Sequence, residues 1–245
     1  MTTRLILVPG TLCDQRLFAA LARRLRPAVS VQVARWRELL RAREPQWWRQ
    51  GEPFSLLGFS LGGIWALQRL QAGLAGPTPP PVERLALVGS NADGAGRQHW
   101  RRLQEQQRLL QRSGTAALAK AAKGHYFAGR PMRWQARLVL DMARRTPPTT
   151  ARKQMRLAAQ RGDALQALAA FPGPVAVLSG LDDRLCTPGQ QQRMQAARRD
   201  ALAQAWERCG HMIPLEAPGR LALAIQRWLA QTPRPIPIST GELTR

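Results

Sequence analysis

Phe54-Ser-Leu-Leu-Gly-Phe-Ser60-Leu-Gly-Gly-Ile64 changes its period in the middle. Phe54 to Phe59 is an apolar run of strand length, and from Ile64 to Gln71 the apolar residues recur at helical spacing. The turn between them, Gly58-Phe59-Ser60-Leu61-Gly62, has the form G-x-S-x-G. A bare match of that form carries little. A match that follows a strand and opens a helix is the setting in which a serine is held in strained backbone geometry, its hydroxyl at the carboxyl edge of a sheet. Glycines two residues to either side remove side chains that would collide where strand and helix approach. A phosphate-binding turn is the competing reading, but neither G-x-G-x-x-G nor a Walker lysine is present. Ser60 is therefore the candidate nucleophile.

The same rhythm extends outward. Leu5 to Val8 is a short apolar run closed by Pro9-Gly10, a buried strand ending in a tight turn. Asp14 is placed to cap a helix that buries Leu17, Phe18, Leu21 and Leu25. Val29 to Val33 alternates as a second strand, and a Trp- and Arg-rich segment from Trp36 to Trp48 is expected to be helical in part. Ala75 to Pro81 has loop composition. Leu85 to Val88 and Val175 to Leu178 read as the fourth and fifth strands. Ala201 to Trp206 is a weaker sixth, interrupted by Gln204, and a helix through Leu221, Ala224, Ile225 and Leu229 follows. Apolar strands alternating with amphipathic helices predict an α/β fold with a mostly parallel sheet covered on both faces. From 97 to 170 the sequence offers only helix formers. The expected organisation is a core of residues 1–96 and 171–231, a helical insertion over 97–170 between the fourth and fifth strands, and a Pro-rich tail over 232–245.

Length and composition set bounds. The 245 residues suffice for one α/β domain. The apolar run near the start is too short for a signal peptide, and no run approaches the ~20 residues of a membrane span, so the expectation is a cytoplasmic protein. Cys13, Cys186 and Cys209 lie far apart and form no CxxC pair, which suggests free thiols rather than a zinc site or a disulfide framework. No metal and no organic cofactor is implied. The net charge of +22 comes from arginine, with Lys120, Lys123 and Lys153 the only lysines. Such an excess marks either a polyanionic partner or the compositional habit of an arginine-rich genome.

Leu56-Leu-Gly-Phe-Ser-Leu-Gly-Gly63 resembles the nucleophile elbow of the α/β-hydrolase superfamily, and the order of elements resembles that fold over nearly the whole chain. A serine at the elbow resembles esterases, thioesterases and related acyl hydrolases. Dehalogenases and epoxide hydrolases of the superfamily carry aspartate there. The resemblance implies a base at His211, within Cys209-Gly-His-Met-Ile-Pro214, while His99 and His125 read as surface or packing residues. The family order of Ser, then an acid, then His places the acid after the strand Val175 to Gly180. Asp182 and Asp183 compete, and the family spacing, with Gly180 before and Pro188 after, favours Asp183. Oxyanion-hole donors are implied at the backbone N–H of Leu61 and on the loop after the first strand. The family's His-Gly is Pro9-Gly10 there, so the donor is Thr11, with Leu12 the alternative.

The insertion resembles the helical cap of these enzymes, which roofs the site, and Trp100, Tyr126, Phe127 and Trp134 are candidates to line its pocket. Between Arg97 and Arg161 stand sixteen Lys and Arg against two acids, Glu105 and Asp141, more than half of the chain's charge excess. A basic cap over an acyl-hydrolase site is compatible with an ester carried on acidic acyl carrier protein, as in the superfamily's pimeloyl-carrier methyl ester esterases of biotin synthesis. A general small-molecule carboxylesterase or thioesterase is the alternative. A basic nucleic-acid-binding module is the alternative of another class, but no binding motif is recognisable and a nucleophile, base and acid would be left without purpose.

Overall fold

A computed structural model describes residues 3–41, 43–76 and 80–232. Six strands form one sheet: β1 (Thr3–Val8), β2 (Val29–Val33), β3 (Phe54–Phe59), β4 (Val82–Val88), β5 (Val175–Gly180) and β6 (Leu202–Trp206), in the spatial order β2-β1-β3-β4-β5-β6. All five pairings are parallel. The sequence pattern explains who sits where. β3 and β5 are buried at every position, as a strand covered on both faces must be, and β1 and β4 are buried along their carboxyl halves. β2 and β6 alternate between more and less exposed residues and occupy the two edges. Gln204, which interrupts the apolar run of β6, is tolerated because that strand is an edge.

Period-two alternation divides the core. Leu5, Leu7, Leu57 and Phe59 join one apolar cluster, and Ile6, Val8, Leu56 and Leu85 join the other, on the opposite face. The helices run in chain order as α1 (Ala19–Leu25), α2 (Trp36–Leu39), α3 (Gln46–Arg49), α4 (Leu61–Leu74), α5 (Arg97–Ala122), α6 (Arg133–Arg145), α7 (Pro148–Gln160), α8 (Leu165–Ala170), α9 (Pro188–Ala197), α10 (Ile213–Glu216) and α11 (Pro218–Leu229). Leu21 and Leu25 of α1 and Leu221 and Trp228 of α11 seal the first cluster. Ile64 and Leu70 of α4, Leu168 of α8 and Met194 of α9 seal the second.

The Trp-rich segment forms two single helical turns, α2 and α3, whose Trp36, Trp47 and Trp48 are buried. Trp47 and Trp48 pack edge-on against Phe54 at centroid distances of 5.4 and 5.8 Å. Asp14 caps a 3₁₀ turn ahead of α1, accepting from the Arg16 N–H. Between β4 and β5 the described residues form only helices, α5 to α8. Within α5, Gly114 takes φ +71° and breaks the helical path, a conformation open to glycine at little cost. The predicted loop at Ala75 to Pro81 lies partly, and the predicted tail almost wholly, outside the described residues. No helix among the described residues is long and apolar enough to cross a membrane.

Candidate active site

β3 delivers the chain to Ser60, and α4 leaves from it. Ser60 has φ +52° and ψ −119°, a conformation that costs about 1–3 kcal/mol for a residue with a side chain. The surroundings hold it there. The Ser60 N–H donates to the Val88 carbonyl at 2.9 Å, and its own carbonyl accepts from the Gly63 N–H and from the Ser90 hydroxyl at 2.8 Å. The flanking glycines are steric requirements. A Cβ on Gly62 would stand 2.2 Å from the Val8 carbonyl oxygen, and one on Gly58 would stand 2.4 Å from Cα of Gly63.

His211 follows β6 and precedes α10, and it is 3% exposed. Its Nε2 lies 2.9 Å from Ser60 Oγ and its Nδ1 lies 2.8 Å from Asp183 Oδ2. A carboxylate only accepts, so Nδ1 carries the proton and Nε2 is left free to accept from the serine hydroxyl. Asp183 is buried just beyond β5, its Oδ1 accepting from the backbone N–H groups of Leu185 and Cys186. Asp182 is exposed and makes no contact with the imidazole. The histidine loop is fixed by Glu216, whose two oxygens accept from the N–H groups of Ala128 and Gly210. Burial holds the Glu216 carboxyl above the usual range even though these N–H groups pull it down.

Two backbone donors border the serine. The N–H groups of Thr11 and Leu61 have no partner among the described residues, whereas the Leu12 N–H donates to Gln154 Oε1 at 3.1 Å. Leu12 takes φ +57°, and that hydrogen bond holds it in place. Of the two donors open on the first loop in the sequence, one is thus already engaged. Thr11, Leu61, Ser60 and His211 border one cavity of about 210 Å³, whose wall beneath α5, α6 and α7 includes Leu118, Val139 and Met155.

Of the aromatic residues expected to line this pocket, Tyr126 does so and stacks near His211 at a centroid distance of 6.5 Å. Phe127 is buried in the core instead. Trp100 and Trp134 are about half exposed and lie outside the cavity wall, which corrects their expected role. They stand on the exposed sides of α5 and α6, beside the exposed Arg101 and Arg133. His125 is exposed, but His99 borders the cavity and faces Arg161, which goes beyond its reading as a surface or packing residue. Gln154, Ser90, Glu216 and Arg161 also escaped sequence reading. Each acts on a partner 30 or more residues away in the chain, beside the nearer contacts of Glu216 with Gly210 and of Arg161 with Ala158, so no local pattern announces them.

Among the described residues one trio could hold a metal: Asp183, Cys186 and His211, whose ligand atoms lie within 4.8 Å of one another. Asp183 and His211 already bind each other, and burial pushes the Cys186 thiol up to about 12, which keeps it protonated and a poor ligand.

Among curated proteins, none matches the sequence. The fold is similar to that of a thermophilic esterase from Thermogutta terrifontis, at 20% identity over 93% of this chain and 89% of that chain, with a TM-score of 0.81. It is also similar to MenH from S. aureus (16% identity, 94% of each chain, TM-score 0.76) and to an enol-lactonase from Burkholderia xenovorans LB400 (17%, 94% and 92%, TM-score 0.74). These likenesses concern the fold. The model of the alpha/beta hydrolase family matches residues 5–224, nearly the whole chain, and so the protein belongs to the alpha/beta hydrolase family and is a hydrolase.

Proposed function

We propose that the protein cleaves a carboxylic ester or thioester through an acyl-enzyme on Ser60. The observation that carries this is the unbroken line from buried Asp183 through His211 to Ser60, at 2.8 and 2.9 Å, on the wall of a cavity. Ser60 Oγ attacks the carbonyl carbon while His211 Nε2 takes its proton. The oxyanion that forms is met by the N–H groups of Leu61 and Thr11. His211 then gives the proton to the leaving alcohol or thiol as its bond to the acyl carbon breaks. Water repeats the cycle: it loses a proton to His211, attacks the acyl carbon, and Ser60 leaves as its hydroxyl regains that proton. Asp183 keeps the imidazole in the tautomer that can accept from the serine.

The specific substrate we favour is a methyl ester carried on acidic acyl carrier protein, as in biotin synthesis. Exposed arginines across α5, α6 and α7 support it, among them Arg108, Arg133, Arg137 and Arg152. A cytoplasmic location would go with this partner and with the three buried free thiols. A general carboxylesterase or thioesterase would use the same residues without the carrier. The test is turnover of a panel of short acyl p-nitrophenyl esters and acyl thioesters. A rapid burst of nitrophenol followed by slower steady release is expected, and its loss in Ser60→Ala. A protein that turns over no member of the panel and no carrier-bound ester would contradict the proposal.

A further inference from the structure

The cavity beside Ser60 is walled largely by apolar side chains, yet two guanidinium groups border it, Arg102 and Arg161. Arg102 is exposed at the rim, whereas Arg161 is only 7% exposed. A buried cation is costly unless something answers its charge. Arg161 Nε donates to the Asp93 carbonyl at 2.9 Å, and NH1 donates to the Ala158 carbonyl. Both acceptors are neutral. The charge of nearby Asp93 favours the Arg161 cation, but no carboxylate forms an ion pair with Arg161 among the described residues, and that of Asp93 is held by Arg193, with Nε to Oδ1 at 3.0 Å. A guanidinium has five N–H groups, and at least two of those on Arg161 remain without an acceptor.

The remaining neighbour sharpens the point. His99 Nε2 lies 2.9 Å from Arg161 NH2. The other ring nitrogen, Nδ1, accepts from the Gly96 N–H at 3.0 Å. A neutral imidazole has one acceptor nitrogen, so His99 answers only one of Gly96 and Arg161 at a time. Burial and the Arg161 charge both hold His99 below its usual range, which keeps the ring neutral. The Arg161 guanidinium thus has more N–H groups than protein acceptors on this stretch of cavity wall. A pair of oxygens in the cavity can accept from the unmet N–H groups of Arg161 and add to the favourable charge of Asp93. The planar fork of a guanidinium matches the two oxygens of a carboxylate.

We propose that Arg161, with His99 beside it, forms a subsite for a free carboxylate on the substrate, so that among esters free of a carrier the enzyme prefers those whose acyl chain ends in a carboxylate. Such compounds are half-esters of dicarboxylic acids. The inference rests on the reading of Ser60 as an ester-cleaving nucleophile and does not need the carrier.

The test compares monomethyl esters of straight-chain dicarboxylic acids with the same esters bearing a terminal carboxamide in place of the carboxylate. For the unmodified protein, kcat/KM should favour the carboxylate by about tenfold or more at the best chain length, mainly through KM, as expected of charged hydrogen bonds. The ratio should collapse toward one in Arg161→Gln and be partly kept in Arg161→Lys, which retains the charge but not the fork. Should Arg161→Gln fold poorly, the comparison on the unmodified protein and His99→Phe still decide. Equal kcat/KM for the two esters would overturn the subsite while leaving ester hydrolysis standing. Preference for a chain ended by a phosphodiester over the carboxylate would also overturn it. Calorimetric binding to Ser60→Ala separates the two readings. If neither ester is hydrolysed but the half-ester still binds more tightly than its carboxamide, the subsite holds and the catalytic reading fails.

Discussion

At the scale of single residues, the difference between Asp182 and Asp183 is one of burial and direction. The strand β5 ends at Gly180, where a Cβ would meet the Cys209 carbonyl oxygen at 2.1 Å, so the chain after β5 is pressed against the histidine loop. Two and three residues further on, Asp182 is turned outward and Asp183 is buried. If Asp183 orients His211, Asp183→Asn should lower kcat by about 10⁴-fold through loss of the tautomer, while Asp182→Asn should stay within a few-fold of the unmodified enzyme. Steady-state kinetics on one ester would show it, and the opposite ranking would reassign the acid. Ser60 was legible from its G-x-S-x-G turn between strand and helix, and His211 and the two candidate acids from their resemblance to the family's loops. Arg161 and Gln154 were not. An arginine in an arginine-rich stretch and a glutamine in a helix acquire meaning only from partners that folding brings near, Asp93 and His99 for one and the Leu12 N–H for the other.

At the scale of elements, the contact that sets the site is α4 against β1 and β3. Gly62 and Gly58 let the helix start directly against the sheet, so that Ser60 projects where the strand ends. Gly62→Ala would place a methyl group inside the van der Waals radius of the Val8 carbonyl, and backbone must move to admit it. The expected cost is about 3 kcal/mol or more, read as a fall in the urea midpoint, together with lost turnover. Unchanged stability would mean that the approach of α4 is looser than described. The strands were legible because buried ones are continuous apolar runs and edge ones alternate. The helix α9 was not. Among Pro188–Ala197 only Gln191 and Met194 are buried, so its sequence shows no apolar stripe to find. The single turns α2 and α3 are likewise too short for a periodicity and are held by their tryptophans.

At the scale of the whole molecule, charge and architecture meet in the segment between β4 and β5. Its helices bury Leu103, Leu110, Val139 and Met155 in the same apolar cluster as α1 and α11, and they turn their arginines outward. The division into core and insertion follows this segment in sequence, while the packing unites them. If the outward arginines steer an acidic carrier, association is electrostatic. Raising ionic strength from about 0.01 to 0.15 M shortens the Debye length from about 30 to about 8 Å. Over that range kcat/KM for a carrier-bound ester should fall about tenfold or more, and that for a small neutral ester should barely move. Replacing Arg133, Arg137, Arg144 and Arg145 by glutamate should reproduce the selective loss. An equal response of both substrates would return the charge to a compositional habit.

The most direct test of the central claim is covalent. A fluorophosphonate reacts with a serine only when a base withdraws its proton and an oxyanion hole receives the negative charge, so it reads Ser60, His211 and the Leu61 and Thr11 donors at once. The labelled protein should gain the mass of one phosphonyl group, peptide mapping should place it on Ser60, and labelling should vanish in Ser60→Ala and nearly vanish in His211→Ala. Labelling that persists in Ser60→Ala, or a folded protein that takes no label at all, would contradict Ser60 as the nucleophile.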